Sequence, residues 1–173
     1  MEVLEAIRTR RSVRKFTSQM PDQKDLETVI EAGLYAANGM GRQDPVILAI
    51  TSQPLRNRIS EMNCAIGGWP KGFDPFYGAP VILMVLGHRS CVTRIYDGSL
   101  VLGNMMLAAH SLGLSSIWIH RAKEEAETEE FRQLLQSLGI SEEMEGIGHL
   151  ALGYAAQEPG EPSARNADRV FYL

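Results

Sequence analysis

Cysteine is scarce in this chain. Cys64 and Cys91 are the two it has, they stand far apart, and no Cys-x-x-Cys pair occurs. That excludes a disulfide framework and a cysteine-built structural metal, and neither cysteine has a histidine at ligand spacing. No apolar run is long enough to span a bilayer; the longest, Val101 to Ala109, is interrupted by Gly103 and Asn104. Glu2, Glu5 and Arg8 break the first residues, so they do not read as a signal peptide. Missing too are G-x-G-x-x-G, the P-loop and G-x-S-x-G. Without them a Rossmann domain, a nucleotide triphosphatase or a nucleophile-elbow hydrolase has no support, and no Ser-His-Asp order can be assembled. No repeat, linker or low-complexity tract appears. The expectation is one cytoplasmic domain over residues 1–173, with no metal, membrane or nucleic-acid partner.

The chain has an ordinary globular make-up, 45% apolar and 22% charged, with a formal charge of -4. A pI near 5.6 argues against general nucleic-acid binding. Residues 123–145 hold eight glutamates and read as a solvated helix and loop. Against this acidic background Arg8, Arg10, Arg11, Arg14 and Lys15, five of the 17 basic residues, crowd into the first sixteen positions. Cations this close repel one another unless an anion offsets them. Phosphate matches a guanidinium fork in charge and geometry. Taken alone, the motif equally suits a solvated charged segment or a nucleic-acid contact.

Apolar spacing predicts helices over 2–9, with Val3, Leu4 and Ile7 on one face, and over 23–37, 54–63, 93–112 and 124–138. Buried strands are expected at 45–50, 80–86, 115–119 and 147–154. The loop from Ala65 to Gly78 reads as either a lid or a surface connection. The 93–112 helix is apolar nearly all round, which predicts cover from a second subunit or a place at the centre of a monomer core. The tail after Gln157 ends in Val170-Phe171-Tyr172, and an apolar end behind a proline-bearing stretch suits an arm docked on a partner. Of the four histidines, His88, His110 and His149 show no partner pattern, and a lone His120 is more often structural than catalytic.

Four segments stand out as candidates for one site: Arg10 to Phe16, Asn38 to Gln43, Ser116 to Arg121, and Arg165. With Phe76-Tyr77-Gly78-Ala79-Pro80, Asp97, Asn104 to Ala109 and Ala151-Leu152-Gly153-Tyr154, in this order and spacing, the chain resembles the FMN-dependent nitroreductase family. The resemblance covers nearly the whole sequence.

The resemblance implies an α+β, three-layer fold: a central, mostly antiparallel sheet flanked by helices, with the C-terminal arm exchanged in a homodimer and FMN at the interface. By position, Arg10, Arg11, Ser12 and Arg14 would hold the FMN phosphate, ribityl chain and pyrimidine edge, and Arg165 would add a cation to the phosphate. Asn38, Gly39 and Gly41 would lie against the flavin from the other subunit, with Gln43 supporting that turn. The backbone at Ile119, His120 and Arg121 would orient flavin N5 and O4, and Lys71 would supply a polar contact. No side chain is expected to be catalytic in its own right, because the flavin carries the chemistry. NADH or NADPH would be the donor, and nitroaromatics, quinones or related molecules the acceptors. Dehalogenation, enone reduction or flavin fragmentation are alternatives within the family, and a non-catalytic flavin- or phosphate-binding module is the alternative outside it.

Overall fold

The computed structural model describes residues 1–141 and 143–173; Glu142 of the acidic run lies outside the described residues. The chain runs α1 (Val3–Thr9), α2 (Gln23–Leu34), β1 (Val46–Ile50), α3 (Gln53–Ile66), β2 (Val81–His88), α4 (Arg94–Ser111), β3 (Ser115–Ile119), α5 (Ala122–Ala126), α6 (Glu129–Ser137) and β4 (Met144–Gly153). The strands form one sheet in the order β1-β2-β4-β3, antiparallel throughout.

The continuous apolar run of β2 shows why helices cover both faces. Val81, Leu83 and Val85 join Leu26 and Val29 of α2 and Val101, Leu102 and Met105 of α4 in one core layer. Ile82, Met84 and Leu86 point the other way, onto Ile59 of α3, Ala122 of α5 and Phe131 and Leu135 of α6. An antiparallel strand sandwiched on both faces loses the usual polar alternation. The result is the expected α+β arrangement of three layers.

Glycines in β4 let neighbours approach. A Cβ on Gly146 would collide with the Ala122 carbonyl, and one on Gly148 would stand 2.8 Å from the Trp118 ring. α5 and Trp118 therefore rest almost directly on the strand backbone.

Three expectations are corrected. The 124–138 helix is two helices, because Thr128 starts a new one: its Oγ1 accepts from the Phe131 N–H at 3.2 Å and donates to the Glu125 carbonyl at 2.7 Å. Nor is the acidic run simply solvated, since Glu125 and Glu145 are buried. α2 ends at Leu34, and the chain then turns toward a one-turn 3₁₀ segment at Gly39–Gly41.

Burial of α4 is one-sided within this chain. Val101, Leu102, Met105 and Ala109 are buried, whereas Ile95, Tyr96 and Leu100 are exposed. The apolar face of α1, with Val3, Leu4 and Ile7, is exposed too, and only Ala6 is buried there. Residues 157–173 form no helix or strand and lie open to solvent. Among the described residues, no helix is long and apolar enough to cross a membrane, and no group of three or more His, Cys, Asp or Glu is placed to hold a metal.

Candidate functional site

The N-terminal cations sit where α1 gives way to extended chain. Arg10 takes ψ 133° at the helix end, and the segment after it is laced to the sheet. Ser12 bridges Ser116 of β3, and Phe16 bridges Ala155 just beyond β4. The Val13 N–H donates to the Ser116 carbonyl at 3.2 Å and the Thr17 N–H to the Tyr154 carbonyl at 2.9 Å. Val13 and Phe16 anchor the segment in the core, Ser12, Arg14 and Lys15 face solvent, and Arg10 and Arg11 are half-buried between.

Arg10 Nη1 and Arg11 Nε are buried with no hydrogen-bond partner. Arg11 spends its Nη1 on the Arg8 and Arg10 carbonyls, at 2.8 and 2.7 Å. Burial, and then the charge of Arg11, hold the Arg10 guanidinium below its ordinary value. A buried donor without an acceptor costs about 1–3 kcal/mol, and more if it is charged. The donors left over are those a phosphate group would satisfy.

His110, for which sequence spacing offers no partner, joins this corner from the last turn of α4. Its Nε2 lies 2.8 Å from Thr9 Oγ1, which itself donates to the Glu5 carbonyl, so the imidazole is the donor. Burial, with Arg10 and Arg11 adding their charge, pushes the His110 pKa down, while Glu5 opposes them. His88 and His149 also have partners that spacing did not reveal. His88 meets Glu143 at 3.2 Å and Ser90 at 2.7 Å, and His149 meets Glu125 at 2.9 Å.

The 38–43 turn is braced in part from within. Asn38 Oδ1 accepts the Gln43 N–H at 2.8 Å, and Asn38 Nδ2 donates to the Ala36 carbonyl at 3.2 Å. The support from Gln43 is thus its backbone, and its side chain is exposed. Met40, Gly41 and Gln43 all have positive φ, at 58°, 65° and 54°. No hydrogen bond among the described residues joins this turn to Arg10, Arg11, Ser12 or Arg14. A cavity of about 550 Å³ opens beside it, lined by Leu34, Tyr35, Asn38 and Gln43.

At the end of β3, Ile119 pairs with His149 of β4. His120 and Arg121 follow, both exposed, and Arg121 adopts the left-handed conformation, φ 79°. The Arg121 guanidinium turns to Glu124 at 2.9 Å. That pair is solvent-exposed and worth little.

Lys71 lies apart from the other candidates, in the wall of a cavity of about 670 Å³ between α3 and the 67–74 loop. Asp74 staples that loop. Its Oδ1 accepts from Ser60 Oγ at 2.7 Å and the Phe76 N–H at 3.0 Å, and its Oδ2 from Arg56 and the Gly78 N–H at 2.7 Å. Burial alone would raise the Asp74 pKa, but hydrogen bonds from Arg56, Ser60 and Gly78 outweigh it and hold the pKa down. Arg165 is exposed in the open tail, outside any helix or strand.

The bonds of His110, Glu125 and His149 join residues distant in sequence and are made only by the fold. Asp97 stood among the landmarks of the resemblance, but without a role.

Comparison with known proteins accords with this arrangement. The nitroreductase family model matches residues 7–65 and 68–154. A provisionally named NADH dehydrogenase/NAD(P)H nitroreductase of Methanothermobacter thermautotrophicus is 28% identical over 98% of this chain and 86% of its own length. The NADPH-flavin oxidoreductase of Vibrio harveyi is 27% identical over 90% of this chain and 67% of its own. A Bacteroides fragilis nitroreductase crystallised with FMN superimposes with a TM-score of 0.91 at 28% identity, covering 100% of this chain and 99% of that one. Family model and fold agree that the chain belongs to the nitroreductase family.

Proposed function

We propose that this chain, as a single domain over residues 1–173, is an FMN-dependent oxidoreductase that draws electrons from NADH or NADPH and delivers them to nitroaromatic, quinone or related acceptors. The observation that carries the reading is the pair of buried, unpartnered guanidinium nitrogens at Arg10 and Arg11. They fit the phosphate of FMN in charge and in donor chemistry. The FMN in the B. fragilis relative and the name of the V. harveyi relative support the same cofactor and donor.

Ser12 and Arg14 are assigned to the ribityl chain and the pyrimidine edge, where a cation favours the electron-rich form of the ring. Lys71 is assigned a polar contact at the rim. The backbone of Ile119, His120 and Arg121 is assigned to N5 and O4. FMN held there would supply the redox chemistry, hydride transfer through N5 in a ping-pong cycle. The protein binds, orients and shields, and no side chain is assigned as nucleophile or acid.

The working unit is assigned as a homodimer. Exposed apolar side chains on α1, α4 and the tail, among them Leu4, Ile7, Tyr96, Leu100 and Phe171, support it. In that dimer Asn38, Gly39, Gly41 and Gln43 of one protomer face the cofactor held by its partner, and Arg165 arrives on the exchanged arm. Two buried, unpaired cysteines suit the reducing cytoplasm.

An absorbance spectrum tests the reading. Purified protein supplied with FMN is expected to retain it, to lose flavin absorbance on addition of NADH or NADPH under argon, and to regain it with a quinone or nitrofuran. Protein that takes up no FMN overturns the reading. Protein that binds FMN but turns over no acceptor is a binding module.

A further inference from the structure

We infer that Asn63 and Glu125, braced by His149, are positioning residues that aim the Arg121 N–H at the cofactor. The inference rests on the flavin reading above. Asn63 Nδ2 donates to the His120 carbonyl at 2.8 Å and to Glu125 Oε1 at 2.7 Å. Both hydrogens of the amide are thereby used. A flipped amide would set its oxygen against two acceptors, so this orientation is the one chemistry permits. Glu125 Oε2 takes its own donor from His149 Nε2 at 2.9 Å. Asn63 is 2% exposed, and Glu125 and His149 are 0% exposed. Water therefore does not compete for the bonds that join Asn63, Glu125 and His149, and the bond to the His120 carbonyl is part-buried.

The consequence lies on the other edge of the peptide. In a trans peptide, C=O and the following N–H point in opposite directions. With the His120 carbonyl tied inward to α3, the Arg121 N–H faces outward. It has no hydrogen-bond acceptor among the described residues. Arg121 sits at φ 79°, an unfavourable backbone state for a residue with a side chain. Such a backbone state persists where surrounding structure imposes it. Here the imposing structure reaches from three elements: Asn63 from α3, Glu125 from α5 and His149 from β4. The donor is thus fixed before any cofactor arrives, and the clamp holds the face that suits oxidised N5 or O4. Freed of Asn63, the 120–121 peptide can turn its carbonyl outward instead, which favours the protonated, electron-rich ring.

The midpoint potential of bound FMN reads this out, alongside FMN affinity by titration. In Asn63→Ala the ratio of affinities for reduced and oxidised FMN is expected to rise about tenfold, a midpoint ~30 mV less negative for a two-electron couple. Asn63→Asp, of the same size, serves if the alanine variant does not fold. Its carboxyl group meets two acceptors with at most one proton, so it releases the carbonyl and shifts the midpoint the same way. Glu125→Ala, which takes away the acceptor that orients the Asn63 amide, is expected to shift the midpoint the same way. Ser60→Ala, on the same helix but bonded to Asp74, is expected to keep the parent value. Asn63 variants that hold FMN at the parent midpoint overturn the inference and leave the cofactor reading standing, as does an equal shift in Ser60→Ala. A parent protein that takes up no FMN overturns both.

Discussion

Asp97 Oδ1 accepts the backbone N–H of Gly39 across 3.0 Å, tying the first turn of α4 to the 38–43 turn. The other oxygen takes Thr93 Oγ1 at 2.8 Å, and a Cβ on Gly39 would collide with that same hydroxyl. Asp97 is buried, so the carboxylate depends on these donors. Its place in the first turn of a helix also suits its charge. One side chain on the longest helix therefore fixes the turn assigned to the partner's cofactor.

Breaking that tie has a measurable cost. Asp97→Ala leaves the Gly39 N–H without its acceptor and is expected to lower stability by about 1–3 kcal/mol in urea unfolding. Asp97→Asn keeps an oxygen for Gly39 and is expected to lose less. Gly39→Ala is expected to release FMN more readily than the parent, because the turn must move away from Thr93.

On the proposed cofactor reading, Arg10→Ala removes one charge-assisted phosphate contact, worth about 1.5–3 kcal/mol. The expected loss of FMN affinity is roughly 10- to 150-fold, measured by equilibrium titration of flavin-free protein. Riboflavin, which lacks the phosphate, is expected to bind parent and variant alike. An equal loss for both ligands would place Arg10 away from the phosphate.

Acid is expected to loosen the 67–78 loop through Asp74. Its folded pKa is depressed, so the stabilisation is present above the ordinary carboxylate pKa of ~3.9 and is lost as pH falls through the lower folded value. Melting curves between neutral pH and that range are expected to show the loss. Asp74→Asn removes the titration but strands the buried Arg56 guanidinium, at a cost of about 3 kcal/mol at neutral pH. A variant as stable as the parent, with the same acid sensitivity, would clear Asp74 of this role.

Ending the chain before Arg165 removes the apolar tip Val170 to Leu173 and one assigned phosphate cation. Light scattering is expected to show a weaker dimer, and the same preparation to hold less FMN. A truncated protein that stays dimeric and flavin-loaded would assign the arm no part in either.

Much of the fold was legible in the chain. β2 declared itself as an unbroken apolar run, and β1, β3 and β4 followed from similar stretches near the expected limits. The 65–78 stretch was not legible, because its glycines and aromatics suit a lid as well as a fastened loop. Asp74 decides for fastening, through bonds to Arg56 and Ser60 on a helix that sequence spacing does not connect to it. The acidic run misled for a related reason. Composition reports the average solvation of eight glutamates, whereas Glu125 and Glu145 are buried by partners that composition cannot show.

Local chemistry wrote the N-terminal cations, the apolar strands and the glycine-bearing turn, because charge density, periodicity and backbone freedom are properties of neighbours in the chain. Tertiary structure decided that Arg10 and Arg11 keep unpaired donors, that His110 stands beside them, and that Asn63 and Glu125 hold the His120 carbonyl. Those are matters of burial and aim, and neither exists until distant segments pack.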